Sequence, residues 1–263
     1  MNCCATIIIP LLAQVDDWLR QAVRTALQQS VPTEVVVVHA ETTPPTNLQV
    51  LAGLQRQFAR LSVLLEDKPG SFPGAINKGI RHASADRVGL LLSDDWLEKT
   101  AVAECLSKAS DIVATGITVH FPDGRINERA CKLPSLTEFN ALPTLDQKAS
   151  YLQHFFLFRK ECVLAAGGLD ESIGNYPGID DFDLIWTLLE RNATVSIVEA
   201  HLYHYRDHRL PRLTLQDRAS MLENLQKILR KHGVTEEQTP DILRRHAPWY
   251  GKPIYEVMGQ DGY

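Results

Sequence analysis

Two adjacent carboxylates, Asp94 and Asp95, follow directly after an apolar run that ends at Leu92. Paired carboxylates in a loop bind hard divalent cations such as Mg2+ or Mn2+, and a bound cation neutralises a diphosphate group. The same residue type also caps helices, and a helical pattern begins near Glu98. The pair by itself therefore leaves two interpretations open, a metal site and a helix cap.

A second acidic group lies late in the chain, where Gly167 and Gly168 are followed by Asp180 and Asp181 at the start of a helical pattern. Acids in a first helical turn are stabilised by the helix dipole, so simple stabilisation is one interpretation. The other is a general base at the acceptor end of a cleft. Adjacent helical residues project about 100° apart, so we expect only one of the two aspartates to face a site.

A third group combines two histidines, two arginines and two tyrosines between residues 202 and 209. Arginine clamps phosphate and histidine completes metal sites, which makes Arg206 and His208 candidates for those roles. A solvated loop of mixed charge is the alternative. His39 ends a predicted strand, where it could meet a nucleotide base or serve only the structure.

These residues lie between predicted strands and helices, and the alternation of those elements predicts an α/β fold. Apolar, β-branched runs predict buried strands, and repeats at helical spacing predict the helices between them. The predicted strands of the first half are 5–10, 34–38, 62–65 and 87–92, and the predicted helices are 16–27, 48–61 and 75–83. Such alternation predicts a mostly parallel sheet with helices on both faces, and ligands bind at the carboxyl ends of its strands.

The second half alternates less regularly. It predicts strands at 111–120 and 194–198, a hairpin turn at 122–124, and helices at 136–150 (interrupted by Pro143), 160–166, 180–191 and 215–232. We expect one α/β domain over residues 1–214 and a helical extension over 215–263 that packs on it. The amphipathic spacing of the extension indicates core or homodimer packing, while its basic residues leave contact with an anionic membrane open.

Composition excludes several classes of protein. The chain has 263 residues and a formal net charge of −5, which gives no reason to expect a nucleic-acid partner. Its five cysteines contain no C-x-x-C pair, so we expect reduced thiols rather than a zinc site. The sequence shows neither a signal peptide nor an apolar stretch long enough to span a bilayer, so we expect a cytoplasmic protein.

Taken together, these segments resemble glycosyltransferase family 2, the inverting nucleotide-sugar enzymes with the GT-A fold. The resemblance extends from about Ala5 to Thr214. It depends on the order and spacing of six segments, which are residues 7–10, 34–38, 70–80, 93–95, 167–171 with 180–184, and 203–208.

The resemblance implies a role for each candidate residue. It assigns Asp95 as ligand of Mn2+ or Mg2+, with His208 as a second ligand or a diphosphate contact. It assigns Asp181, with Asp180 as the fallback, as the base that deprotonates the acceptor. The remaining residues implied on the nucleotide side are Pro10, Gly70, Asn77, Asp94 and Arg206.

The chain departs from the family pattern where Leu12, Ala40, Ile76 and Leu92 replace polar or charged residues. Glu41 then becomes the candidate for the ribose contact, and the base stays open, with a UDP-sugar favoured and GDP- or dTDP-sugars as alternatives. The implied acceptor is a saccharide or a lipid-linked saccharide. A catalytically degenerate nucleotide-sugar-binding protein is a competing hypothesis. A nucleotidyltransferase is a weaker one, because residues 10–17 lack the glycine-rich basic signature of those enzymes.

Overall fold

The computed structural model describes residues 3–68, 70–127, 131–152, 155–173, 180–210 and 218–253, with the backbone alone for Asp180 and Trp249. The chain folds as an α/β protein around one curled sheet, which confirms the predicted fold class. The strands are β1 (Ala5–Leu11), β2 (Thr33–His39), β3 (Leu61–Leu65), β4 (Arg87–Leu90), β5 (Trp96–Leu97), β6 (Ile112–His120), β7 (Phe156–Arg159) and β8 (Val195–Arg206).

The helices connect these strands and continue past the last of them. They are α1 (Asp16–Leu27), α2 (Pro45–Gln55), α3 (Phe72–His82), α4 (Ala101–Leu106), α5 (Leu136–Ala141), α6 (Leu145–Tyr151), α7 (Lys160–Ala166), α8 (Asp180–Glu190), α9 (Arg218–Lys231) and α10 (Thr239–His246). A 3-10 turn, Ala247–Trp249, follows α10.

The strand order β3-β2-β1-β4-β7-β6-β8-β5 places β4 at the centre of the sheet. The pairs β3–β2, β2–β1, β1–β4 and β6–β8 are parallel, whereas β7 is antiparallel to both neighbours and β5 is antiparallel to β8. The carboxyl ends of β1, β2, β3 and β4 therefore meet at one edge. This is the edge at which the sequence predicts the ligand site.

Apolar side chains cover both faces of the first strands, as their unbroken hydrophobic runs predict. Every residue of β1 is buried. Helix α3 crosses β1 so closely that a Cβ on Gly79 would lie 2.5 Å from the Cγ2 atom of Ile8. This close approach holds α3 directly against β1.

Strand β8 is irregular where it pairs with β6. The register runs from Thr115 opposite Val198 to Gly116 opposite His201 and Ile117 opposite Tyr203. Between these pairs β8 contains three more residues than β6, and the extra residues form a bulge. Beyond the bulge, Tyr203 and Tyr205 face the core.

Several element boundaries differ from the sequence predictions. The predicted strand 194–198 is the beginning of β8, which continues to Arg206. The interpretation of residues 202–209 as a solvated loop is therefore wrong for residues 202–206. The predicted helix 136–150 is two helices separated at Pro143, and the hairpin is confirmed by a bridge between His120 and Ile126. The predicted start of the last long helix, residues 215–217, lies outside the described residues.

The helices after β8 pack on the α/β sheet region. Arg245 of α10 donates to the Asp146 carboxylate of α6, and Lys231 of α9 forms an ion pair with Asp183 of α8. Within the described part of the chain, none of the helices combines the length and the apolar character needed to cross a membrane.

Candidate active site

The acidic pair lies in a turn at the carboxyl end of β4. The backbone continues the β1–β4 ladder through a hydrogen bond from Leu91 N to Ile8 O, and the turn closes from Asp95 N to Leu92 O. The loop after β1 contacts this turn, with Gln14 Nε2 3.4 Å from Ser93 Oγ. Helix α4 begins only at Ala101, and its N-cap residue is Thr100, so the helix-cap interpretation of the pair is wrong.

Asp95 is enclosed in the protein, with 1% of its surface exposed. The Tyr203 hydroxyl donates to Oδ2 of Asp95, and the Arg206 backbone N–H donates to Oδ1 at 2.7 Å. Burial raises the pKa of Tyr203 well above its ordinary value, and the negative charge of Asp95 raises it further, so the tyrosine remains a donor. Both carboxylate oxygens of Asp95 thus accept hydrogen bonds from β8, and these bonds hold β8 against the turn.

Asp94 has a different environment, because its carboxylate keeps one oxygen open. His208 Nε2 lies 3.0 Å from Oδ2 of Asp94, and within the described residues Oδ1 has no hydrogen-bond partner. The two side chains are mostly shielded from solvent, at 13% and 7% exposed. A shielded carboxylate beside an imidazole has one oxygen left for a ligand at the carboxyl edge.

Arg206 links the two aspartates to helix α1. Its guanidinium lies between two indole rings, 4.6 Å from the centroid of Trp18 and 4.7 Å from that of Trp96. Its Nε donates to Asp94 O at 2.9 Å, and Nη2 donates to Gln21 Oε1 at 2.8 Å. Burial lowers the pKa of Arg206, whereas Asp95 and Asp94 raise it. Because its planar group is stacked and hydrogen-bonded within the protein, Arg206 is suited to hold the acidic turn in place.

The donor types at the turn fit a divalent metal ion. Carboxylate oxygen and imidazole nitrogen both bind Mn2+, and Asp94 and His208 supply one of each. His208 Nδ1 accepts a hydrogen bond from Leu210 N at 3.2 Å, and this contact would have to be given up if Nε2 bound a metal, because a ligating histidine donates its other N–H. No group of three or more His, Cys, Asp or Glu side chains in the described part of the chain is arranged to hold a metal.

Asn77 joins helix α3 to the loop after α7. Its Nδ2 donates to Leu169 O at 2.9 Å and to Glu171 Oε1 at 3.0 Å, and its Oδ1 accepts from Leu169 N at 2.8 Å. Gly168, with φ of +76°, lets the loop pass directly against this carboxamide. The donor hydrogens of Asn77 are thus used inside the protein, which favours a role in positioning the loop over direct contact with nucleotide.

Asp181 lies in the first turn of α8, where its Oδ1 accepts from the Phe182 backbone N–H at 2.9 Å. The side chain is half-buried. In the same helix, Asp183 is 1% exposed and contacts Lys231 and His232 of the C-terminal region, so it is structural. The described contacts do not join Asp181 to Asp94. Nothing is described for the Asp180 side chain.

The remaining candidates lie along the carboxyl edge, apart from the acidic turn. Pro10 is buried within β1 opposite Val38, and His39 ends β2 with its Nδ1 3.0 Å from Ala40 O. Glu41 is exposed in the turn after β2. Gly70 is exposed, has φ of +69°, and donates its N–H to Glu66 Oε1. Their placement is compatible with nucleotide contacts, which stay a prediction.

Sequence reasoning did not assign Trp18, Trp96, Gln21 or the Tyr203 hydroxyl to the site. Trp96 directly follows the acidic pair in the sequence, and this adjacency already indicates that it lies near the site. Trp18 lies in the first turn of α1, where an indole ordinarily indicates core packing. The stacking of both rings on Arg206 depends on a contact across the fold.

Comparison with known proteins finds one matching family model and a curated relative. Residues 6–164 match the family described as "Glycosyl transferase family 2". A curated relative, the O-antigen biosynthesis protein RfbC of Myxococcus xanthus, is 25% identical over 174 residues. That match covers 66% of this chain but 13% of the relative, so the chain spans only a small part of that protein's length.

Two solved structures share the fold. The mannosyltransferase PcManGT from Pyrobaculum calidifontis, in complex with GDP-Man and Mn2+, superposes with a TM-score of 0.65 at 15% identity, covering 95% of this chain and 72% of that one. Residues 1–349 of S. aureus TarS, in complex with UDP-GlcNAc, superpose with a TM-score of 0.63 at 15% identity, covering 92% and 72%.

Proposed function

Because the chain belongs to glycosyl transferase family 2, we propose that it transfers a sugar from a nucleotide-diphosphate donor to an acceptor hydroxyl, with inversion at the anomeric carbon. The observation that carries this proposal is Asp94, which keeps Oδ1 open at the carboxyl edge while His208 lies beside Oδ2. UDP- and GDP-sugars are the proposed donors, in keeping with the complexes of the two solved structures described above. The acceptor is a saccharide or a lipid-linked saccharide in the synthesis of a polysaccharide or glycoconjugate.

We assign the metal position to Asp94 and His208. The resemblance implied Asp95 instead, but both oxygens of Asp95 already accept hydrogen bonds from β8. A bound Mn2+ or Mg2+ would supply positive charge against the leaving diphosphate. Asp95, Tyr203 and Arg206 hold the backbone of the turn so that Asp94 faces the donor.

Asp181 is the proposed general base. Its carboxylate takes the proton of the acceptor hydroxyl as that oxygen forms the new bond to the anomeric carbon. The bond from that carbon to the diphosphate oxygen breaks, and its electron pair leaves with the diphosphate. Attack from the face opposite the leaving group inverts the carbon.

A donor-hydrolysis screen tests the proposal. Wild-type protein is incubated with UDP-, GDP-, dTDP- and CMP-sugars, with Mn2+, Mg2+ or EDTA, and nucleotide release is measured. We expect metal-dependent release from one donor class. Asp94→Asn should lower that rate by about 100-fold or more, and Asp123→Asn, a change in the exposed hairpin, should not. Wild-type protein that neither binds nor hydrolyses any of these donors would refute the proposal.

Asp95→Asn separates the two acidic roles. An amide there would place N–H donors against the Tyr203 hydroxyl or the Arg206 N–H, so we expect a lower thermal midpoint. If Asp95→Asn folds as stably as wild type and still loses metal dependence, the metal position belongs to Asp95 rather than Asp94.

Asp181→Asn tests the base. We expect transfer to the acceptor to be abolished while the Kd for the nucleotide is unchanged. Full transfer activity in this variant would remove Asp181 from the mechanism.

A second candidate function is a nucleotide-sugar-binding protein without turnover. Leu92, which takes the place of a motif acid, and the two-residue donor set at the turn favour it. Calorimetry with the same donors distinguishes the two functions, because binding without any nucleotide release would support the binding protein.

A further inference from the structure

The indole of Trp18 contacts the imidazole of His208 as well as the guanidinium of Arg206. The indole centroid lies 4.7 Å from the centroid of His208, with an angle of 47° between the ring planes, and 4.6 Å from Cζ of Arg206. Tilted rings with centroids about 4.5–7 Å apart attract each other. Trp18 therefore touches both the histidine at the proposed metal position and the arginine that holds the acidic turn.

The hydrogen bonds of His208 depend on which ring nitrogen carries the hydrogen. Nδ1 accepts from Leu210 N at 3.2 Å, so the hydrogen is on Nε2, which donates to Asp94 Oδ2 at 3.0 Å. When a histidine binds a metal through Nε2, its hydrogen is on Nδ1, so neither hydrogen bond could persist. The ring contact with Trp18 needs no particular ring hydrogen and is therefore kept in both states.

The first turn of α1, which carries Trp18, is held by a buried side chain outside the site. Asn47 of α2 is fully buried, and its Nδ2 donates to Gln14 O at 2.8 Å and to Asp16 Oδ1 at 2.6 Å. Its Oδ1 accepts from Gln14 N at 2.9 Å. These bonds tie the loop before α1, and the first residue of that helix, to α2. Trp18 is thus presented to His208 by a fixed backbone.

We propose that Trp18 is a positioning residue for the metal position, because its indole holds the His208 ring with Nε2 directed towards Asp94. This inference rests on the proposed function and deepens it. It names the residue that keeps the imidazole in place once the hydrogen bonds of the metal-free ring are given up. Residues that orient a metal ligand contribute about 10–100-fold to metal affinity. Trp18 makes this contribution through a ring contact instead of a hydrogen bond.

Two substitutions of Trp18 distinguish the aromatic contact from apolar bulk. Trp18→Leu removes the ring, so we expect the Kd for Mn2+ to rise about tenfold. Trp18→Phe keeps an aromatic ring against His208 and should recover most of the affinity. Because the defect lies in metal affinity, saturating Mn2+ should restore the donor-hydrolysis rate of Trp18→Leu.

Trp186→Leu is the matched control. Trp186 also stacks on a histidine, His232, with ring centroids 4.3 Å apart and an angle of 7° between the planes. That pair joins α8 to the C-terminal region and does not include a residue of the acidic turn. Its loss should lower the thermal midpoint and leave the Kd for Mn2+ unchanged.

The test measures metal binding and the His208 ring separately, on the full chain and without a sugar donor. Electron paramagnetic resonance of free Mn2+ gives the Kd with MnCl2 alone and with UDP or GDP added. Proton NMR of the metal-free protein follows the His208 ring, whose resonances are identified by their absence in His208→Gln. We expect the ring current of Trp18 to displace these resonances in wild type. Trp18→Phe should keep a displacement, and Trp18→Leu should lose it.

Unchanged Mn2+ affinity in Trp18→Leu would overturn the inference. A fall in affinity without a change in the His208 resonances would also overturn it, since Trp18 would then act through Arg206. An equal fall in Trp186→Leu would show that lost stability, and not the ring contact, weakens binding. Trp18→Met, which also lacks a ring, takes the place of Trp18→Leu if the leucine variant does not fold.

Failure of the proposed function gives a different result. Wild-type protein that binds no Mn2+, alone or with either nucleotide, overturns the metal position and this inference with it. The donor-hydrolysis screen with EDTA then shows independently whether the sugar donor is still cleaved. Wild-type protein that binds Mn2+ but neither binds nor hydrolyses a donor refutes the proposed function, while the comparison of Trp18 variants still decides the role of Trp18.

Discussion

Replacing Gly168 with alanine should be among the most damaging small changes in this protein. The added Cβ would overlap Oδ1 of Asn77 and lie 3.0 Å from its Cγ. The carboxamide is 5% exposed and has little room to withdraw. Displacing it breaks the three hydrogen bonds that connect α3 to Leu169 and Glu171.

The expected cost has two parts. Three hydrogen bonds at about 1 kcal/mol each give about 3 kcal/mol. A non-glycine residue in the left-handed region adds about 1–2 kcal/mol. We therefore expect Gly168→Ala to lower the free energy of unfolding by about 4–5 kcal/mol. A chain of ordinary stability would then be close to unfolding at physiological temperature.

Gly167 supplies the matched control. It also has a positive φ, +94°, but a Cβ there would meet nothing within 4 Å. Gly167→Ala should therefore cost only the backbone part, about 1–2 kcal/mol.

Urea unfolding of a double-mutant cycle measures the steric part directly. In an Asn77→Ala background the overlap is absent, so adding Gly168→Ala should cost no more than Gly167→Ala does. Equal costs of Gly168→Ala in both backgrounds, or equal costs of the two glycine changes in the wild-type background, would refute the packing argument.

Two further predictions concern other parts of the molecule. Arg206→Lys keeps the charge but loses the stacking between Trp18 and Trp96, so we expect the free energy of unfolding to fall by about 2–4 kcal/mol. We also expect half-maximal hydrolysis to need a higher metal concentration. An unchanged metal requirement would contradict the positioning role of Arg206, and Arg125→Lys in the hairpin is the control. Burial and the neighbouring Arg245 lower the pKa of His246 from 6.5 to about 4, so the unfolded chain binds its proton first as pH falls. The contribution of His246 to the free energy of unfolding is therefore complete above pH 6.5 and falls by up to about 3 kcal/mol towards pH 4. In urea titrations, His246→Gln should lack this pH-dependent loss of stability. Identical pH dependence in both proteins would contradict the burial argument.

The sheet and its ligand edge were predictable because they depend on local patterns. The apolar runs of β1 and β2, each followed by a helical repeat, indicate buried parallel strands without reference to the rest of the chain. The length of β8 was missed because its polar residues suggested a loop, although buried and partly exposed residues alternate from Tyr203 to Arg206.

The division of labour between Asp94 and Asp95 could not be read from the sequence. It depends on the Tyr203 hydroxyl, which is 108 positions away along the chain, and on the backbone N–H of Arg206. Both aspartates have the same neighbours in the sequence. Only the long-range hydrogen bonds to Asp95 show that its carboxylate is used inside the protein. The place of Asn77 within the Gly168 loop likewise depends on a pairing across 92 positions.

The bulge in β8 has a consequence for how this chain tolerates insertions and deletions. Residues 199, 200 and 202 have no partner on β6, so they shift the alternation of β8 by three positions, an odd number, relative to β6. The inward orientation of Tyr203, and with it the support of Asp95, depends on the parity of that short stretch. Removing one residue there would turn Tyr203 away from the acidic turn and bring His204 in its place, whereas removing two would preserve the orientation. Length variants of this stretch that keep the site intact should therefore differ by even numbers of residues.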